Sequence, residues 1–206
     1  LSPTDMGNAL DGLLGGDHLN APGHWDFFIS HTQGNGDATT LAEGLYSSLK
    51  QKGHSVWLDV KMSEKNEEAM CEAVVGAKCV IAIITEGPKP ENNYFNRPFC
   101  LKELRWALEA GVKVQPVVRV EDKSAIGKFL GGAPADLQGL GKITFIDLHR
   151  GNKESFEVGV KKLVESLDVA RQLQLERAAY HPSHQCHRSD GHRSGERASV
   201  TLCVGT

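Results

Sequence analysis

Cysteine is scarce in this chain, with five residues in 206, and an odd count leaves no closed disulfide framework. Cys71, Cys79 and Cys100 also fall in apolar or helical stretches, so a reducing, cytoplasmic setting is expected. No run approaches the roughly 18 apolar residues that a membrane helix needs, and no apolar signal segment opens the chain. Membrane insertion is therefore not expected. Neither sign of charge dominates: 23 Lys and Arg stand against 26 Asp and Glu, a net charge of -3. That balance removes the electrostatic reason to propose nucleic acid or an acidic membrane surface as partner. The first residue is Leu1 rather than Met, which reads as a fragment of something longer. What remains is an ordinary globular composition, long enough for one domain with a sizeable core plus tails.

Residues 1–23, with Gly15-Gly16 and Ala21-Pro22-Gly23, read as a linker or loosely docked arm. Trp25 to Ser30 is an apolar strand that ends in the polar loop His31-Thr32-Gln33-Gly34-Asn35-Gly36-Asp37. Leu41, Leu45 and Leu49 predict a helix up to Gly53, and Ser55 to Val60 a second strand. Ala69 to Ala77 predicts a helix that starts at Ser63 or Asn66. Cys79 to Thr85 is apolar throughout, the pattern of a strand buried on both faces in a parallel sheet. Val112 to Val120 and Ile143 to Leu148 read as further strands, separated by a short helix over Lys123 to Leu130. A last amphipathic helix carries Phe156, Val160, Leu163, Val164 and Leu167. The alternation predicts an α/β fold, a doubly wound, five-stranded parallel sheet. One domain is expected over 24–178, and the Ser-, His- and Arg-rich segment 179–206 is read as a disordered tail.

The informative stretch is the helix between Asn96 and Gly111, which Pro98 opens and Gly111 closes. Cys100, Leu101, Leu104, Ala107 and Leu108 make its expected buried stripe. Phe99, Glu103 and Trp106 then share another face, with Glu103 at the margin of the stripe. No cationic side chain stands three or four residues from Glu103, so a simple salt-bridge role is not indicated. A carboxylate between two aromatic rings suits a sugar-and-base ligand, while the plainer alternative is a solvated helical glutamate.

With that order set, Asp26-Phe27-Phe28-Ile29-Ser30-His31, Ser55-Val56-Trp57-Leu58-Asp59-Val60 and Phe99-Cys100-Leu101-Lys102-Glu103-Leu104 together resemble a TIR domain, the Toll/interleukin-1 receptor module. The third motif is similar to the W-C-x-x-E-L signature of the family's NAD-cleaving members, with Phe99 in the tryptophan position. The loop Lys61 to Asn66 lacks the proline or glycine common there in the family. The resemblance implies a flavodoxin-like sheet, Glu103 as the catalytic residue, NAD+ as substrate rather than cofactor, and association with other TIR domains. Phe99, Trp106, His31, Thr32, Gln33, Asp59, Lys61 and Arg97 are then the candidate substrate contacts, since ligands lie beyond the carboxyl ends of the strands. The expected reaction releases nicotinamide and ADP-ribose or a cyclised form, in signalling or defence. The competing class is a non-enzymatic TIR–TIR scaffold.

Cleaving the nicotinamide–ribose bond builds positive charge on the sugar, which one carboxylate can offset. Nicotinamide departs neutral and needs no protein acid. Gln33 to Asp37 offers backbone amides for a phosphate, though a glycine-bearing turn is more often only a turn. Leu58-Asp59-Val60-Lys61-Met62 also looks like a receiver's phosphoacceptor strand, but Ser30-His31 stands where an acidic metal-binding pair belongs. His181, His184, Cys186 and His187 match no standard closed zinc spacing. No metal is expected.

Overall fold

The computed structural model describes residues 25–63 and 65–180. The arm at 1–23 and the tail histidines from His181 onward lie outside the described residues. Five parallel strands run β1 Trp25–Ser30, β2 Val56–Trp57, β3 Ala77–Ile83, β4 Lys113–Arg119 and β5 Ile146–Leu148. They pair in the order β2-β1-β3-β4-β5, the flavodoxin-like doubly wound arrangement. The helices are α1 Gly36–Gln51, α2 Glu67–Val75, α3 Pro98–Glu109, α4 Ile126–Gly131 and α5 Lys153–Tyr180. The last of these runs two residues past the expected boundary at 178.

Alternation along the strands divides the apolar residues into two layers. Phe28, Val80 and Ala82 belong to the layer that packs Met70 and Ala73 of α2 and Cys100, Leu104 and Ala107 of α3. Phe27, Ile29, Cys79, Ile81 and Ile83 face Leu41, Leu45 and Leu49 of α1 and Val160 and Leu163 of α5. Both faces of β3 are covered, which explains its unbroken apolar run. Ile81, Ile83, Leu104, Val117 and Ile146 are all buried.

Four local expectations are corrected. The strand over Ser55 to Val60 shrinks to Val56–Trp57, because Lys61 N–H donates to Leu58 O at 2.8 Å and closes a 3₁₀ turn over Asp59–Lys61. The strand over Ile143 to Leu148 begins only at Ile146, after a 3₁₀ segment at Ala135–Lys142. The helix over Lys123 to Leu130 divides into a 3₁₀ turn, Val120–Ala125, and α4. In α3 the buried residues are Cys100, Glu103, Leu104 and Ala107, while Leu108 is 46% exposed. That is the i, i+3, i+4, i+7 set of a helix facing a core. An acid occupies one of its four positions.

Helix ends follow ordinary capping chemistry. Asn35 caps α1 by accepting from the amides of Asp37 and Ala38, and Asn66 caps α2 by accepting from Ala69. Gly53 and Gly111 sit just past α1 and α3 at φ of +84° and +68°, where a side chain would be strained.

Candidate functional site

At the carboxyl ends of β1 and β2, beside the β1/β3 point where the strand order reverses, the following loops enclose a cavity of about 260 Å³. His31 and Gln33 come from the loop after β1, Asp59 and Lys65 from the segment after β2, and Arg97, Phe99, Cys100 and Glu103 from the start of α3. Asn35 ties these loops together, since its side-chain amide donates to Thr85 Oγ1 at 3.1 Å and to Glu86 O at 2.9 Å. Its carbonyl oxygen takes the Asp37 and Ala38 amides, so the amides at the start of α1 are engaged within the protein rather than offered to a phosphate.

Glu103 is only 7% exposed. Its Oε2 accepts from Ser30 Oγ at 2.5 Å, and Ser30 Oγ lies 2.6 Å from the Tyr94 hydroxyl. Burial pushes the Glu103 carboxyl up to about 8; the Ser30 hydrogen bond pulls it down in part, and the charge of Asp59 adds to the rise. Two neighbours are also kept uncharged by burial. The Cys100 thiol is raised well above its usual range, further so by Glu103, and approaches His31 O at 3.5 Å. The His31 imidazole is lowered by burial against the opposing pull of Asp59 and Glu43. His31 Nδ1 lies 4.0 Å from Asp59 Oδ1, and its Nε2 is buried with no hydrogen-bond partner.

The other candidates divide into those at the cavity and those away from it. Gln33 donates to Asp59, whose other oxygen accepts from Val60 N–H at 2.7 Å, so Asp59 braces the two loops. It follows an edge strand, not the central strand that a receiver's phosphoacceptor would end. Phe99 lines the cavity mouth, 46% exposed, with Lys102 Nζ 5.3 Å from its ring centre. Arg97 has no carboxylate partner among the described residues. Thr32 is fully buried, its hydroxyl unpartnered, and does not line the cavity. Lys61 stands in solvent 3.8 Å from Glu43. Trp106 packs half-buried against the core on the α3 side of the sheet. It lies close to Phe99 in azimuth, but seven residues further along is about 10 Å down the helix axis, which takes it away from the crevice.

Sequence reasoning did not single out Ser30, Tyr94 or Lys65. Ser30 carried a signal: it has the strand parity of Phe28, so it faces α3. Tyr94 and Lys65 lie in loops whose path no periodicity describes. Among the described residues no group of three or more His, Cys, Asp or Glu side chains could hold a metal ion, and no helix is long and apolar enough to cross a membrane.

The model of the TIR domain family matches residues 27–164, two thirds of the chain. This chain belongs to the TIR family. Among solved structures it is similar to the TIR domains of the activated Roq1 resistosome directly recognizing the pathogen effector XopQ. Identity is 18% over 69% of this chain and 99% of that chain, with a TM-score of 0.50. Shared architecture is what that likeness carries. No curated protein matches the chain. In this TIR domain the glutamate of the Phe99–Leu104 motif, Glu103, lines the crevice.

Proposed function

We propose that this TIR domain is an NAD+ glycohydrolase, with Glu103 as its catalytic residue. The observation that carries the reading is a buried carboxyl lining a cavity at the carboxyl ends of the strands, with one oxygen held by Ser30. A carboxylate that only stabilises a fold is rarely left with so little compensation for its burial.

The geometry supports a division of labour. At about 260 Å³ the cavity falls below the range of about 300–1,000 Å³ usual for whole ligands, so it suits one end of the dinucleotide. The nicotinamide ring of NAD+ carries a positive charge, and its entry favours the ionised form of Glu103. As the bond between the ring nitrogen and ribose C1′ breaks, its electron pair leaves with nicotinamide and charge passes to the sugar. The carboxylate then faces a cation that exists only in the transition state. Water adds its oxygen to C1′ and loses one proton, giving ADP-ribose; capture by a group of the same molecule gives a cyclic form. Neutral His31, with a free Nε2, suits a ribose hydroxyl, and Phe99 suits stacking. The rest of the dinucleotide then lies outside this cavity, against a second TIR domain.

Nicotinamide release by the purified chain across protein concentration tests this. Activity per chain should rise once chains associate. Glu103→Gln should lower turnover by about 10²–10³, the range for losing one electrostatic stabiliser. Equal rates in the two proteins overturn the assignment. A pure scaffold predicts no release at any concentration.

A further inference from the structure

Ser30 and Tyr94 are hydroxyls that the proposed reaction does not use directly, yet both are buried and in line with Glu103. Each hydroxyl has one proton, and that count fixes the direction of the chain. Tyr94 keeps its proton, since burial, Cys100 and Glu103 all push its phenol well above the usual range. The only hydrogen-bond partner of its hydroxyl among the described residues is Ser30 Oγ. If Ser30 donated to Tyr94, the phenolic proton would be left buried without an acceptor, which costs more than an ordinary hydrogen bond is worth. Tyr94 therefore donates to Ser30, and Ser30 has to donate to Glu103 Oε2. No described residue donates to Oε1.

We propose that Tyr94 and Ser30 form a one-way hydroxyl chain that fixes Glu103 Oε2 and leaves Oε1 as the oxygen presented to the ligand. This rests on the glycohydrolase reading for its purpose, though not for its geometry. Ser30 and Tyr94 are positioning residues: they act through Glu103 and favour its ionised form, because both protons point toward the carboxylate. The other groups that bear on the carboxyl are Asp59 and His31 from the strand-end loops, Lys65 ahead of α2, and Arg97 and Cys100 at the start of α3. None of them is altered in the variants below.

The test is a carboxyl ¹³C NMR titration of the full chain with labelled glutamate, the Glu103 signal being assigned by its loss in Glu103→Gln. Ser30→Ala should move the Glu103 midpoint to higher pH by about one unit, tenfold in proton affinity. Tyr94→Phe, which keeps the packed ring, should move it the same way by less. In the double variant Tyr94→Phe should add nothing, because its effect passes through Ser30. That variant also removes the orphaned phenol, so it folds even if Ser30→Ala does not. Coincident midpoints overturn the proposal, as does a Tyr94 effect that persists undiminished without Ser30. With NAD+, the acid limb of kcat/KM, which reports the free enzyme and rises as Glu103 ionises, should shift in parallel. If wild type releases no nicotinamide, the glycohydrolase reading fails and the titration still decides the chain.

Discussion

Two carboxyl groups mark the opposite ends of β1, and their surroundings differ in kind. At the amino end, Asp26 accepts from Lys78 Nζ at 2.5 Å and from Ser55 N–H at 3.1 Å, with His54 Nδ1 at 3.3 Å. Burial alone would raise it, yet Lys78, Ser55 and His54 together hold it below the ordinary carboxylate value. At the carboxyl end, Glu103 accepts from Ser30 and makes no ion pair among the described residues, and burial wins. Asp26 knits β1 to β3 and to the start of β2, whereas Glu103 is held in an environment that disfavours its charge. On the proposed function, the amino ends of this sheet carry stability and the carboxyl ends carry chemistry, at a cost in stability.

Adjacent residues of α3 give the sharpest contrast. Leu104 is fully buried against Val80, Ala82 and the α2 residues, so Leu104→Ala should cost about 2–5 kcal/mol if the site cannot collapse. Glu103→Gln should do the reverse in alkaline solution. The carboxyl of Glu103 has a folded-state pKa of about 8 against an ordinary 4.5. Its bound proton therefore stabilises the fold fully below pH 4.5, and that contribution fades as pH rises through 8. At about 1.4 kcal/mol per unit the loss is bounded near 5 kcal/mol. The buried amide of Gln has its own unmet donors, so a gain of about 1–3 kcal/mol over wild type at pH 9 is expected. Thermal melts across pH 5–9 check it: curves that stay parallel would remove the strain assigned to Glu103.

The same contrast explains what could be read in advance. Strands β1 and β3 and the cap glycines Gly53 and Gly111 were legible, because apolar runs and left-handed turns are local properties. Glu103 was legible as a candidate through its motif, but its burial at the cavity was not. Hydrophobicity assigns an acid to the outside, so Leu108 was given its place in the stripe. Only the packing of α3 on β1, with Ser30 waiting beneath, brings Glu103 inward. Trp106 lies away from the cavity for a geometric reason, since angular position on a helix says nothing about height along it. The short β2 reflects side-chain competition: Asp59 accepts from the backbone N–H of Val60, a local bond available to a turn and not written in the apolar pattern.

The smallest expected effect is at Asp26. Asp26→Asn preserves volume and one acceptor but removes the charge that Lys78 and His54 face. Charge-assisted hydrogen bonds contribute about 1.5–3 kcal/mol when shielded. Here the Lys78 side chain is 30% exposed and that of Asp26 17%, so solvent screening lowers the expectation to about 1 kcal/mol at neutral pH. The sign with pH is opposite to that of Glu103. Because the Asp26 pKa is depressed, its contribution is complete above the ordinary value of 3.8 and is lost as pH falls through the lower folded-state value. Denaturant melts of wild type and Asp26→Asn should therefore differ at pH 7 and converge in acid. Nicotinamide turnover by folded protein should be the same in both. An Asp26→Asn protein that is as stable as wild type at pH 7 but has lost turnover would mean that the amino ends of the strands serve the site, and the division between the two carboxyls would not hold.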